Sequence, residues 1–331
     1  MTAPAPDAAP GPVRVAAIDC GTNSIRLLVA ELDPAAGTLT DLDRRMEIVR
    51  LGQGVDRTGR LAPEALERTF AACRRYAEVI RAHGVPPGRT RFVATSASRD
   101  AGNRDEFTRG VHEITGVFPE VISGDEEARL SFAGATRELA GAGAVPAPDA
   151  PALVVDIGGG STEFVLGTPG DGVRAARSVD IGCVRLTERH LTEDGRPVEP
   201  LTADRLSALT ADVRAALAEA ERTVPLHEAR ALVGLAGSVT TVAALALGLD
   251  EYDASAVHHS RFDRPAIAAV TAWLVSSTHA ERAARKVIHP GRVDVITAGA
   301  MVLDQVMEYL GAPELVVSEH DILDGIAWSA G

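Results

Sequence analysis

The chain has 331 residues, 46% of them apolar, and a formal charge of −13. That is enough length for two cores of ordinary size, and the wrong sign for a broad nucleic-acid or acidic-membrane footprint. Three widely spaced cysteines, Cys20, Cys73 and Cys183, fit neither a disulfide framework nor a zinc site, so a reducing cytosol and a packing role are expected. Lys286 is the only lysine. Any cationic grip on a phosphate must therefore come from arginine, whose planar fork suits bidentate contacts.

Residues 1–12, rich in Ala and Pro without a basic start or an apolar stretch, read as a disordered tail rather than a signal. A buried-strand run from Val13 to Ile18 leads into Asp19-Cys20-Gly21-Thr22-Asn23-Ser24, and the alternating apolar residues Ile25, Leu27 and Val29 follow. Strand, tight glycine turn, strand is the expectation. Pro63 to His83 then places Leu66, Phe70, Cys73, Ala77 and Ile80 at helical spacing, with Pro63 early and Gly84 just past the end, predicting an amphipathic helix on a sheet. Arg91 to Ser96 and Val117 to Ile122 read as strands with a helical segment between them. Arg99 falls just beyond the first of these, where ligands gather in α/β folds, and the residues alone leave it open between a ligand contact and a surface ion pair. Ser123-Gly124-Asp125-Glu126-Glu127-Ala128-Arg129 opens a helix. Its carboxylates suit the helix dipole, and Ser123 with Glu126 fits a capping box. Glu127 has a second reading, because a carboxylate beside a phosphate cleft can accept a proton from water attacking phosphorus. Residues 140–151 are of low complexity and read as an exposed loop near a domain junction.

The second half opens as the first did. An apolar run, Leu153 to Val155, leads into Asp156-Ile157-Gly158-Gly159-Gly160-Ser161, with Phe164 and Leu166 after it. Asp19 aligns with Asp156, Gly21 with Gly158 and Ser24 with Ser161, at a constant offset of 137 residues. Glycine permits close backbone approach, so consecutive N–H groups can form an anion cradle, and the adjacent aspartate can hold a divalent cation or a water. Neither copy carries the lysine of a GxxxxGK[ST] loop or the GxGxxG of a dinucleotide site. Two such hairpins facing one another would grip a phosphorylated ligand from both sides. A helix is expected around Ala203 to Thr223, then a strand to Gly234, then a glycine turn, Gly237-Ser238-Val239-Thr240, as a weaker third cradle. The apolar stretch Val233 to Leu249 is interrupted by Gly, Ser and Thr and reads as a buried helix rather than a membrane span. His258, His259 and His289 lie outside any HExxH or paired CxxC pattern and read as polar surface or interface groups.

Four ordered segments carry a resemblance to a known family: Ile18 to Leu27, Ala94 to Asn103, Gly124 to Leu130 and Asp156 to Glu163 resemble the exopolyphosphatase/guanosine pentaphosphate phosphatase family. The likeness continues through Gly237 to Thr240, residues 289–300 and a closing Ser318-Glu319-His320-Asp321-Ile322-Leu323-Asp324-Gly325. It implies an α/β fold of two actin-like (ribonuclease-H-like) domains, residues 13–135 and 136–331, with the active site in the cleft between them, in the short two-domain form. By matching positions it implies Glu127 as the catalytic base, Arg99 as a phosphate contact, and Asp156 and Glu163 as carboxylates for magnesium (Mg2+). Gly158, Gly159, Gly160 and Ser161 would be the phosphate loop, faced by Asn23, Ser24, Gly237 and Ser238. Thr22 replaces the serine common after Gly21 and keeps the hydroxyl. The closing motif lacks the arginine common there, which leaves the rear of the cleft unassigned.

The activity so implied is hydrolysis of a terminal phosphoanhydride by a cytoplasmic homodimer. Short polyphosphate is the expected substrate, with guanosine pentaphosphate as the alternative, since the cleft motifs read only phosphates. Two other classes share the duplicated hairpins: an actin-like kinase of a small metabolite, marked by a phosphorylated acceptor, and a noncatalytic alarmone sensor, marked by binding without turnover.

Overall fold

The computed structural model describes residues 11–137, 149–193 and 196–331, and in it the repeat of two motifs is a repeat of two whole sheets. In the first half β1 (Val13–Cys20), β2 (Ser24–Asp33) and β3 (Thr38–Ile48) form a meander. Helices α1 (Val55–Thr58) and α2 (Pro63–Ala82) lead to β4 (Thr90–Ala94), α3 (Ser96–Asp100) and α4 (Arg104–Thr115) lead to β5 (Glu120–Val121), and α5 (Gly124–Thr136) follows. The second half starts with the meander β6 (Ala152–Ile157), β7 (Thr162–Thr168) and β8 (Gly172–Val179). Then come α6 (Cys183–Leu186), the short pair β9 (Thr192–Glu193) and β10 (Arg196–Pro197), α7 (Ala203–Glu221) and β11 (Ala231–Leu235). The chain finishes with α8 (Ala236–Ala246), α9 (Ala254–Val257), β12 (Arg261–Asp263), α10 (Arg264–Ser276), α11 (His279–Ala283), α12 (Ile296–Leu310), β13 (Glu314–Val317) and α13 (Ile322–Trp328).

The sheet orders are β3-β2-β1-β4-β5 and β12-β13-β11-β6-β7-β8. In each, an antiparallel meander is extended by strands running parallel to its first member, β12 alone closing the second sheet antiparallel to β13. Even the irregularities repeat. Opposite Val29 and Ala30 of β2, and opposite Leu166 and Gly167 of β7, positions that keep the 137-residue offset, the partner strand carries one extra residue, Leu42 on β3 and Arg174 on β8. Such a bulge bends the strand and deepens its twist, so both meanders curl alike.

Both sheets are covered on both faces, which is why their first strands read as unbroken apolar runs. Along β1, Ala16, Ile18 and Cys20 face one core with Tyr76, Phe92 and Phe107, while Val15 and Ala17 face the other. That alternation is the two-residue period of a strand. The linear halves also exchange one helix each. Helix α5 lays Ala128, Phe132 and Ala135 on the second sheet, against Val154, Val165 and Val233. Helix α13 returns Ile322, Leu323 and Ile326 to the first sheet, against Val15, Leu28 and Ala30. The two helices cross where a side chain on Gly134 would collide with the backbone carbonyl of Asp321 and one on Gly325 with that of Leu130.

Several expectations are refined. The strand read over Val117 to Ile122 forms a ladder only at Glu120 and Val121. The strand read as far as Ser96 ends at Ala94, because Thr95 and Ser96 turn into α3. The third glycine turn is instead the start of α8, and the residue with positive φ there is Ala236, at 68°. The capping box is half made: Ser123 accepts from the Glu126 N–H, but the Glu126 carboxylate goes to Arg91. Cys20 and Cys73 lie in the first core, whereas Cys183 lines the cleft. Residues 1–10 of the expected tail and 140–148 of the expected loop lie outside the described residues. Among the described residues no helix is long and apolar enough to cross a membrane.

Candidate active site

The two hairpin turns meet face to face between the sheets. Each is closed by the same bond, Gly21 N–H to the Ser24 carbonyl (2.9 Å) and Gly158 N–H to the Ser161 carbonyl (3.1 Å). Each is also buttressed from one side. The Asn23 carbonyl accepts from Val49 and Arg50, and the Gly158 and Gly159 carbonyls accept from Cys183 and Val184. A Cβ on Gly159 would stand 2.9 Å from the Thr22 Cβ, and one on Gly160 would stand 2.6 Å from the Thr22 hydroxyl and 2.4 Å from that of Ser96. These glycines are therefore required by the approach of the two turns, whatever the cleft holds. Behind them a seam of polar contacts joins the halves. Arg185 reaches Asp56 and Asp100, Arg189 reaches Asp56, and Glu188 accepts the Gly54 N–H.

The cleft is lined by Asp19, Asn23, Ser24, Glu127, Asp156, Gly158, Gly159, Ser161, Gly237 and Ser238, which brings together most of the residues expected from sequence. Three stand just outside that lining. Gly160 turns away, its carbonyl accepting from Arg185 Nε (2.7 Å). Glu163 is 1% exposed and takes a hydrogen bond from Ser178 (2.7 Å). Arg99 donates to the Glu127 carboxylate (3.1 Å) and to the Ile122 carbonyl (3.2 Å), so it supports Glu127 from behind.

Of the three carboxylates at the start of α5, only Glu127 turns inward. One helical turn on, Ser131 donates to Asp156 Oδ2 (2.7 Å), so a single helix face presents a carboxylate and a hydroxyl to the same site. Sequence reading missed Ser131, although its spacing from Glu127 was the available signal. Burial pushes the Glu127 carboxyl up, with the Arg99 charge opposing and Asp156 reinforcing. Asp156 is raised by burial first and then by the nearby Asp321 charge. Glu163 is raised by burial and by the charges of Glu127 and Asp156.

Cations reach the cleft from two directions. Arg26 pairs with Asp19 and with Asp321. Arg292 is half-buried, donates to the Gly237 carbonyl (3.2 Å) and to Thr241 (3.4 Å), and makes no ion pair among the described residues. Burial lowers the proton affinity of its guanidinium. Gly237 is small because a Cβ there would sit 2.1 Å from that group. The 289–300 segment was noted in the sequence, but Arg292 has no local pattern to mark it. The first N–H groups of α8, with no side-chain cap, open on the same space and suit an anion. The rear of the cleft, left unassigned for want of an arginine in the closing motif, is filled by arginines of the first sheet, Arg26 on Asp321 and Arg44 on Asp324.

Magnesium fits this donor set. No three His, Cys, Asp or Glu side chains among the described residues form a ready-made cage; magnesium needs only one or two carboxylates together with waters and substrate phosphates. The buried side-chain oxygen of Asn23 has no hydrogen-bond partner, as a ligand-facing group would. Asp156 and Glu163 place like charges opposite one another on adjacent strands.

Comparison with known proteins agrees with this geometry. The Ppx/GppA phosphatase family matches residues 28–330. The chain is 50% identical to exopolyphosphatase 2 of Mycobacterium tuberculosis, over 96% of its own length and 98% of that protein. Among solved structures, an exopolyphosphatase-like protein superposes with a TM-score of 0.89 at 45% identity, covering 97% of this chain and 98% of that one. A Ppx/GppA family member from Aquifex aeolicus gives 0.74 at 31% identity, covering 96% and 97%. The facing glycine turns, the inward glutamate and these likenesses agree, and the chain belongs to the Ppx/GppA phosphatase family.

Proposed function

We propose that the protein is an exopolyphosphatase that releases the terminal phosphate of short polyphosphate with the help of magnesium. The observation that carries this reading is Glu127, a buried carboxylate aimed between two facing phosphate-type turns. The names of the relatives support the same substrate class. Turn amides at Gly158, Gly159 and Ser161 and the start of α8 hold the terminal phosphoryl oxygens. Arg292 offsets charge farther along the chain of phosphates. Glu127 orients a water and takes its proton as the water oxygen bonds to phosphorus and the bridging P–O bond breaks, the electron pair leaving on the shortened polyphosphate. The raised proton affinity of Glu127 suits a base working near neutral pH. Asp156 and Glu163 would hold magnesium, which neutralises phosphate oxygens. Positioning and electrostatics supply the rate. The setting proposed is the reducing cytosol, supported by three free, buried cysteines, with a homodimeric state to be read by sedimentation.

Phosphate release should be measured side by side from polyphosphates of defined length, guanosine pentaphosphate and ATP, with and without magnesium. Preference for short polyphosphate supports the proposal. Preference for guanosine pentaphosphate moves the same chemistry to that substrate. A phosphorylated acceptor without free phosphate, or binding without turnover, overturns it.

A further inference from the structure

We propose that Asp321 is a positioning residue that fixes the Arg26 guanidinium against the phosphate cleft. Arg26 stands on β2 directly opposite Asp19. Its Nε (3.0 Å) and Nη2 (2.7 Å) both donate to Asp19 Oδ2, and its Nη1 donates to Asp321 Oδ2. Arg26 and Asp19 line the cleft, whereas Asp321, 3% exposed, lies behind them. Three of the five guanidinium N–H groups are occupied by carboxylates and two remain for the cleft. A guanidinium held at both ends cannot swing with its flexible stem, so its charge and its remaining donors are in place before a ligand arrives.

The alternative is that Asp321 serves only as the N-cap of α13, whose Leu323 N–H it accepts (3.0 Å). A cap requires one oxygen, and an asparagine supplies it as well as an aspartate does. The second oxygen, and the full charge, are directed to a residue 295 positions away. Asp324 is set alongside in the same way, accepting the Asp321 N–H (3.0 Å) and pairing with Arg44. The closing motif thus anchors arginines of the first sheet.

This inference rests on the reading of the cleft as a phosphate site. Its test compares Asp321→Asn, Asp321→Ala, Arg26→Lys and the double variant Arg26→Lys/Asp321→Asn with the wild type. The readouts are affinity for inorganic phosphate by titration calorimetry, melting temperature, and kcat and KM on tripolyphosphate. Asp321→Asn should melt below the wild type, through the lost pair, but above Asp321→Ala, since the cap survives, and should bind phosphate about tenfold more weakly, with KM rising more than kcat falls. In the Arg26→Lys background the same substitution should change affinity by less than about twofold, because the two residues act through one contact. Unchanged phosphate affinity in Asp321→Asn, fully additive effects in the double variant, or a melting loss in Asp321→Asn equal to that of Asp321→Ala would each overturn the proposal. A wild type that releases no phosphate from tripolyphosphate would instead overturn the short-polyphosphate reading, and the affinity comparison would still decide Asp321.

Discussion

Asp156 and Glu163 face one another across β6 and β7 at the positions that in the first hairpin hold Asp19 and Arg26. The duplicated scaffold is thus electrostatically asymmetric. The first copy neutralises its aspartate internally, through Arg26. The second sets two acids against each other, an arrangement that costs stability unless a proton or a cation joins it.

Magnesium binding should therefore compete with protons. In the absence of metal the raised Asp156 and Glu163 retain protons that the unfolded chain would release. Their contribution to stability is present below the ordinary carboxylate range and is lost as pH rises through the raised values. A cation replaces the proton, so the rise in melting temperature on adding magnesium should grow between about pH 5 and about pH 8. Thermal melts across that range, with and without the metal, check this; a constant increment would contradict it. Asp156→Asn should blunt the activity response to magnesium, with partial recovery at higher concentration. Equal wild-type activity in chelator would remove the metal role from both acids.

Glu127→Gln should lower kcat by roughly 10²–10⁴ with little change in ligand affinity, because it removes a base while keeping the shape. Glu126→Gln loses only a partly exposed pair with Arg91 and should cost less than about 1 kcal/mol of stability and no turnover. Single-turnover kinetics on both variants separates them. Near-native turnover in Glu127→Gln would return that residue to helix-end electrostatics.

Arg99 meets Glu127, and its charge opposes the effect of burial on that carboxyl. Arg99→Ala should therefore raise Glu127 further and move the acid limb of the kcat/KM profile to higher pH, with a loss of roughly 10- to 100-fold near neutrality. Arg99→Lys keeps the charge and should recover part of the shift. An unmoved limb, with equal losses in both variants, would assign Arg99 a direct bidentate phosphate contact instead.

Arg292 is the half-buried cation of the cleft that makes no ion pair among the described residues. Arg292→Ala should raise KM for polyphosphate by about tenfold or more while changing melting temperature little, since only weak neutral contacts are lost. Steady-state kinetics with parallel melts tests it. A large melting loss with unchanged KM would make the residue a structural brace for α8.

Local chemistry was legible without coordinates. The 137-residue repeat foretold both turns, and the likeness extends to the turn hydrogen bonds and to the bulges on β3 and β8. On spacing alone the inward carboxylate of α5 was open, with three acids at one helix start; the family resemblance singled out Glu127. What only the tertiary structure decided were the partnerships across the halves: Arg26 with Asp321, Ser131 with Asp156, Arg292 with Gly237. Periodicity reports which face a residue occupies, not which distant element covers that face. Here the exchange of α5 and α13 between the sheets set those neighbours, and with them the charge balance of the cleft.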